Sequence, residues 1–327
     1  MSGRDWNAVR FERDTSADHV ESYFLKLNDP KARRALWLKA TILSGRFRDP
    51  VAEGWAIAFD RESGHVAAKE VIPYSEARFS ADALDVRVRD VELRPGFTRG
   101  RLSARGHSLE WELTFDAGGP PLTLLPNERM YRGKFPSSKL VTPFPDTRFS
   151  GFYKVDGREV RVDGWRGMQG HNWGKKHAEL YGWGHVNQWD GGENVMLEGV
   201  TARVKMGPVL VPPLTIVCVW HEGARYEFNA VKNLMQNKGS VAQRSWKFEA
   251  QTRRAKVRGE LSATTDDMVG LYYENPDGDM TYCLNSKIAR AWLRLEPASG
   301  PPLEVTSRAA ALEIGTKDPK HGVRMLA

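Results

Sequence analysis

The amino-acid sequence predicts an all-β protein built as two barrel- or sandwich-like domains. Three observations lead there. The chain has 327 residues, which by the usual size of domains suggests about two. Short runs rich in β-branched and aromatic residues recur along it, separated by turn residues such as NDP, DRESG, DAGGPP, HEGA and NPDGD, the pattern of many short strands. Helical periodicity is scarce: KKHAEL, residues 175–180, is the one short turn of helix suggested, and no repeat of 20 to 50 residues stands out.

The strands follow in order. RALWLKATIL, GWAIAFD and HVAAKEVI open the first half, and LEWELTF follows. In the first of these, Trp37, Lys39 and Thr41 alternate with Leu36, Leu38, Ala40 and Ile42, which predicts an outward Lys39 face with Trp37 partly covered. GFYKV and REVRV flank Asp156-Gly157, and Asp-Gly tolerates the positive φ angles of a tight hairpin turn. NVMLEGVTARV, LTIVCVW, RYEFNAV, WKFEAQT, GLYYE and AWLRLE complete the second half. The Pro-rich segment FPSSKLVTPFPDTRFSG, residues 135–151, is the best junction. It places a boundary near 145, with one domain over 1–145 and the other over 146–327.

Composition excludes several classes. With 41% apolar and 27% charged residues, the chain reads as a soluble globular protein. The longest apolar run, MGPVLVPPLTIVCVW, holds three prolines and is too short and broken for a transmembrane helix. The opening segment lacks the apolar stretch of a secretory leader, so the cytoplasm is the expected location. Cys218 and Cys283 are too few for a disulfide scaffold or a zinc site, and Cys218 reads as a buried thiol. The net charge of +7 neither demands nucleic acid nor excludes it, and an anionic membrane surface is equally open. The basic stretch RSWKFEAQTRRAKVRGEL reads as the solvated face of an amphipathic strand pair, so no nucleic-acid partner is expected.

Motifs with a known mechanism are missing. No Walker pattern and no G-x-S-x-G elbow occur. The run Gly164, Gly167, Gly170, Gly174 lies among strands, so close backbone approach or a bulge explains it better than a dinucleotide loop. His171, His177 and His185 are spaced six and eight apart, unlike a local metal-ligand pattern, so neither metal nor cofactor is expected.

The richest segment is QGHNWGKKHAELYGWGHVNQW, residues 169–189. On a strand, Tyr181, Trp183, His185, Asn187 and Trp189 would share one face, with Gly182 and Gly184 on the other. That face is costly to leave in water and too polar for an ordinary core. Two readings stand: a Trp-rich core with its polar groups hydrogen-bonded, or the wall of a cavity for an apolar ligand. Glu198 alternates with Met196 and Val200 in NVMLEGVTARV. If that face points inward, burial raises its pKa and makes it a general acid near neutral pH. If Leu197, Gly199 and Thr201 point inward instead, Glu198 meets solvent; the alternation alone does not choose.

The chain resembles the lipocalin-like superfamily of carotenoid 1,2-hydratases and tocopherol cyclase-like (AttH-like) proteins. ESYFLKLNDPKARRALWLKATIL with GWAIAFDRESGHVAAKE, GWRGMQGHNWG with YGWGHVNQW, and SRAAALEIG carry the likeness, in order along most of the chain. The resemblance implies two calycin-like β-barrels packed together and a hydrophobic, terpenoid- or polyketide-like ligand. It also implies cofactor-free hydration or cyclisation, in which aromatic faces would attract a carbocation. His171, Asn172 and Trp173 fall on the HNWG element, and Tyr181, Trp183 and Asn187 on the aromatic strand after it. The resulting expectation has Glu198 or His171 as proton donor and His185 and Asn187 orienting water or a substrate oxygen. Trp173, Trp183 and Trp189 would form walls. A non-enzymatic carrier or sensor on the same fold is the competing expectation. The carotenoid enzymes act at membranes, so peripheral membrane contact stays open, as does the oligomeric state.

Overall fold

The structure, a computed structural model, describes residues 5–13, 17–46, 48–203, 205–206, 209–210 and 212–327. Almost every element is a strand, as the alternating sequence requires. The first four are β1 (His19–Asn28), β2 (Arg34–Gly45), β3 (Arg48–Asp60) and β4 (Val66–Pro73). Short strands follow: β5 (Ala77–Phe79), β6 (Val86–Val88), β7 (Val91–Arg94), β8 (Phe97–Ala104), β9 (His107–Phe115) and β10 (Leu122–Thr123). After a single-turn helix α1 (Glu128–Arg132) come the long hairpin strands β11 (Lys139–Val155) and β12 (Arg158–Gly174). The second half holds β13 (Leu180–Val186), β14 (Val195–Arg203), β15 (Lys205–Met206), β16 (Val209–Leu210), β17 (Leu214–His221) and β18 (Ala224–Phe228). It continues with β19 (Lys238–Ala242), β20 (Ser245–Gln251), β21 (Ala255–Ser262), β22 (Val269–Glu274), β23 (Met280–Pro297) and β24 (Leu303–Thr316).

Two large antiparallel sheets result, with β15 and β16 paired only to each other. The first runs β4-β3-β2-β1-β12-β11-β9-β8-β7-β6-β5, with β10 beside β11. The second runs β18-β17-β14-β13-β24-β23-β21-β20-β19, with β22 beside β23. Each curls around its own core. Leu25, Leu38, Ala56, Ile72, Trp111 and Phe149 meet inside the first, and Val186, Leu197, Val217, Trp246, Leu284 and Leu312 inside the second. The fold is two barrel-like domains, as the sequence predicts. The Asp-Gly turn is also as expected: Asp156 and Gly157 carry φ of 51° and 81°, and Val155 pairs with Arg158.

Three sequence expectations are corrected. The junction near 145 falls within β11, and β12 pairs with β1 from Arg166 to Gly174, so the crossing to the second sheet comes between Gly174 and Leu180. Pro143 and Pro145 mark register shifts within the hairpin rather than a linker, because β11 bulges at Val141–Phe144 and again at Phe144–Thr147. KKHAEL forms no helix: Leu180 begins β13, and Lys175 to Glu179 form the crossing. The Lys39 face of β2 is not outward; Lys39 is 7% exposed and Trp37 1%, because the second barrel covers it.

Glycines set the shape of the second barrel. A Cβ on Gly182 would stand 3.0 Å from the Trp246 ring and one on Gly199 2.9 Å, and one on Gly184 would strike Leu261. The indole of Trp246 lies across these three positions, with its Nε1 donating to Thr201 Oγ1 at 2.7 Å. Gly182 and Gly184 of YGWGHVNQW are glycine because a tryptophan fills the barrel over them. The β12 glycines serve close approach as well. Gly167 faces the Lys26 carbonyl and Phe149, and Gly170 faces the Phe24 ring. The basic stretch 244–261 forms the hairpin β20–β21, with alternating burial and ion pairs such as Lys247–Glu260 (3.2 Å) and Lys256–Glu249 (3.0 Å) on its outer face. The apolar run Met206–Trp220 lies partly outside the described residues, and among those described no helix is long and apolar enough to cross a membrane.

Candidate functional site

The aromatic face of β13 does not line its own barrel; it packs against the first one. Trp183 lies with Phe24, Trp37, Trp55 and Met168 in an apolar cluster between the two sheets. His185 Nε2 bonds the Pro145 carbonyl at 2.9 Å. Asn187 donates to the Gly167 carbonyl at 2.7 Å and to Asp146 at 3.1 Å, and accepts from Lys26 Nζ at 3.1 Å. His185 and Asn187 therefore hold the second barrel against the β11–β12 hairpin. Burial pushes the His185 imidazole well below its usual range, with the Lys26 charge adding to that. Burial takes Lys26 down to about 7, helped by nearby Lys287. Tyr181 joins the same seam, its ring across Gly315. Trp189 does not: it turns into the second barrel's core and donates to the Val195 carbonyl at 2.8 Å. The strand ends at Val186 and the alternation with it.

Deeper in the seam, Lys287 Nζ meets Glu313 Oε1 and Asn285 Oδ1, each at 2.7 Å. Lys39 Nζ stands 3.8 Å from the Tyr273 ring centroid and 5.6 Å from those of Trp37 and Trp55. Burial lowers Lys39 to about 8 despite Glu313 nearby. His177 bonds Asn275 Oδ1 at 3.0 Å, and burial with the Lys39 charge holds it down at about 4. His171, His177 and His185 thus have separate partners.

Glu198 takes an outcome between the two the alternation allows. Leu197 points into the second barrel, yet the Glu198 face is sealed as well, by β11 and by the chain before it. Thr142 Oγ1 lies 2.7 and 2.9 Å from its two oxygens, and Trp183 Nε1 donates to it at 3.1 Å. Leu122, Leu124, Met196 and Cys218 pack beside it. With no cation against it among the described residues, burial raises its pKa to about 7, only partly opposed by Thr142 and Trp183. Folding therefore takes up a proton between the ordinary value of 4.5 and about 7, so stability falls as pH rises through that window and levels off above it. Glu198→Gln removes this dependence. Denaturant unfolding at pH 4 and pH 8 should show the variant gaining on the parent by about 3 kcal/mol across the interval. Parallel pH curves would place the carboxyl in contact with water.

His171, Asn172 and Trp173 lie on β12 in the first barrel, at its mouth. His171 is fully buried and stacked on Tyr23, with ring centroids 4.2 Å apart. Its Nδ1 bonds the Trp6 carbonyl at 2.7 Å and its Nε2 bonds Glu21 Oε1 at 2.8 Å. Both nitrogens are engaged, so His171 does not reach a ligand as a proton donor; it ties the N-terminal segment across the barrel. Asn172 is half-buried beside Leu140 and Ser22. Trp173 opens into a cleft of about 1000 Å³, whose lining includes Trp6, Arg10, His19, Tyr131, Lys139 and Trp173.

His19 and Glu21 are the residues that the sequence reading missed. Glu21 accepts from the backbone N–H groups of Arg10 and Phe11, from Tyr23 Oη, and from His19 and His171. Although burial opposes ionisation, these bonds hold Glu21 far below the usual carboxylate range. His19 Nε2 bonds Glu21 Oε2 at 2.8 Å, and the His19 side chain is 16% exposed at the cleft. The signal was there: His and Glu two apart in DHVESYF share a strand face. A fixed carboxylate behind a reachable imidazole is an acid–base pair.

Two curled sheets back to back, an aromatic cleft at one mouth and a sealed carboxyl behind it define a lipocalin-like two-barrel protein. The tocopherol cyclase-like family matches residues 145–316, more than half of the chain, and the protein belongs to that family. The uncharacterized protein Rv0493c of Mycobacterium tuberculosis (strain ATCC 25618 / H37Rv) is 26% identical over 281 residues, 86% of this chain and 82% of its own. The AttH-like protein NE1406 of Nitrosomonas europaea superposes with a TM-score of 0.58 at 15% identity, over 95% of this chain and 98% of that one. Kievitone hydratase of Nectria haematococca gives 0.56 at 11% identity, over 90% and 88%. CghA, solved with Sch210972, gives 0.57 at 10%, over 91% and 88%. At these identities the solved structures share the fold.

Proposed function

We propose that the protein binds a hydrophobic small molecule, terpenoid- or polyketide-like, in the cleft between Trp6, Tyr131 and Trp173, and promotes its hydration or cyclisation by proton transfer. The carboxylate-backed imidazole of His19 at the cleft wall carries this reading. Glu21 fixes the ring, so one nitrogen is held by Glu21 and the other is left for the ligand. As imidazolium it gives a proton; as imidazole it takes one from the adding water or hydroxyl. The aromatic walls suit both an apolar ligand and developing positive charge. The hydratase fold among the structural relatives and the cyclase family support this chemistry without naming a substrate.

The same cleft on a carrier would need the walls and no acid. Quenching of tryptophan fluorescence by a series of isoprenoid alcohols and fatty acids, with mass analysis of the extracted ligand, separates the two. Trp173→Ala should weaken binding about tenfold or more. His19→Ala should leave binding within about threefold while lowering conversion about 10² or more. Recovery of every bound ligand unchanged by the parent protein would make it a carrier; no binding in the cleft would end both readings.

A further inference from the structure

Between the cleft and Glu198 lie the start of β11, with Leu140 and Thr142, and the segment before it. Residues 124–138 cross from β10 to β11 over the outer face of the second sheet, and few side chains hold them. Leu124 and Leu125 pack inward, Tyr131 is the only buried residue of α1, and residues 127–129 and 132–135 are exposed. Tyr131 is the latch. Its hydroxyl accepts from the Leu125 N–H at 3.1 Å and donates to the Leu140 carbonyl at 2.8 Å. Further ties are Asn229 Nδ2 to the Leu124 carbonyl at 3.1 Å, Lys139 Nζ to the Pro136 carbonyl at 2.7 Å and Ser138 Oγ to the Lys176 carbonyl at 3.3 Å. One side of Tyr131 lines the cleft. On the other, Leu140 and Ile216 run on into the apolar compartment of Leu122, Leu124, Met196, Cys218 and Glu198.

We propose that residues 124–138 are a gate hinged at β10, and that opening it joins the cleft to a second, acid-bearing compartment in which Glu198 protonates the unsaturated end of the cleft ligand. This rests on the reading of the cleft as a ligand site. Few buried side chains and a handful of single polar ties are what a locally opening segment has. The compartment is apolar, as an alkene or prenyl chain requires, and Glu198 is its acid. Its carboxyl, raised to about 7, keeps its proton in a sizeable share of molecules in neutral water. In the step, the Glu198 O–H bond breaks and a C–H bond forms at the alkene, leaving a carbocation beside Trp183. Water adds to the cation and yields a proton to His19. His19 releases that proton to solvent and Glu198 regains one, so the net change is alkene plus water to alcohol. In a ring closure the ligand's own hydroxyl replaces water.

Two reagents test the gate without any ligand. Dicyclohexylcarbodiimide adds to protonated carboxyls in apolar sites: the acid proton passes to a carbodiimide nitrogen, and the acyl group ends on nitrogen as an N-acylurea, with no leaving group. N-ethylmaleimide alkylates exposed thiols. Cys218 shares the compartment with Glu198, whereas Cys283 lies buried in the seam between the barrels and reports general unfolding. Peptide mass mapping of the full chain should find Glu198 and Cys218 labelled together. Both should label about tenfold faster in Tyr131→Phe, as expected for losing buried hydrogen bonds, and faster also in Asn229→Ala, while Cys283 stays protected. Saturating geranylgeraniol should slow both labels in the parent protein. Equal acceleration of Cys218 and Cys283, or unchanged labelling in both variants, overturns the gate. Binding of geranylgeraniol in the cleft without protection of Glu198 overturns its role as acid. Failure of geranylgeraniol to bind at all counts against the cleft reading and leaves the labelling test of the gate intact.

Discussion

Glu313→Ala should destabilise the protein by about 3–5 kcal/mol, the cost of leaving a buried charge without its partner. Glu313 Oε1 holds Lys287 Nζ at 2.7 Å and Asn285 Nδ2 at 3.1 Å, and Lys39 lies near enough to lower its pKa further. Lys287 is fully buried, and the nearest aromatic surfaces are Trp37 and Trp183, with ring centroids 5.1 and 5.5 Å from Nζ. Ring faces attract a cation but replace neither its water nor its counter-ion. Without Glu313, Lys287 and Lys39 would each have to lose a proton or draw water into the seam between the barrels. The double variant Lys287→Met/Glu313→Leu tests the cause, because removing both charges at similar volume is close to neutral in other buried pairs. Guanidinium unfolding at pH 7 should place the double variant above the single one but below the parent, because Lys39 loses the Glu313 charge in both. A loss under about 1 kcal/mol in Glu313→Ala would mean that the pair is hydrated.

The second large effect is expected at Trp246. Its side chain is fully buried over Gly182, Gly184 and Gly199, and it packs on Phe248 with ring centroids 4.6 Å apart. Glycine on three neighbouring positions leaves nothing that can relax into the space. Trp246→Ala should therefore cost about 3–5 kcal/mol, with the cavity counted in. Trp246→Phe keeps most of the ring volume and should cost less, since Thr201 retains Thr215 as a partner at 2.9 Å. Thermal unfolding monitored by circular dichroism distinguishes the pair of variants. Equal losses for Ala and Phe would mean that the indole N–H, rather than the volume, matters.

The sequence by itself determined the class of fold and the shape of its strands. Alternation along β2, β14 and β20–β21, the Asp-Gly turn at 156–157 and the lack of helical period are local facts. Strand geometry turns each into a local structure without help from the rest of the chain. The close backbone approach at Gly167 and Gly170 was legible for the same reason. So was the acid character of Glu198, given an inward face, because burial raises a carboxyl wherever it occurs.

Only the tertiary structure decided which surfaces cover which. A strand pattern distinguishes two faces and cannot say that both are buried, one in its own barrel and one against another. For that reason Lys39 proved covered rather than exposed, and Glu198 sealed by the first barrel rather than by its own. His185 and Asn187 became ties between barrels, and Trp189 left the face it would share on a longer strand. Likewise, nothing local shows that the N-terminal segment crosses to His171 and uses both its nitrogens, leaving His19 as the imidazole at the cleft. These outcomes depend on contacts between distant residues, such as His171 with Trp6, 165 positions apart, and Lys39 with Tyr273, farther still. Pairing at that separation is fixed by the packing of whole sheets, and a single sequence carries no periodicity that encodes it.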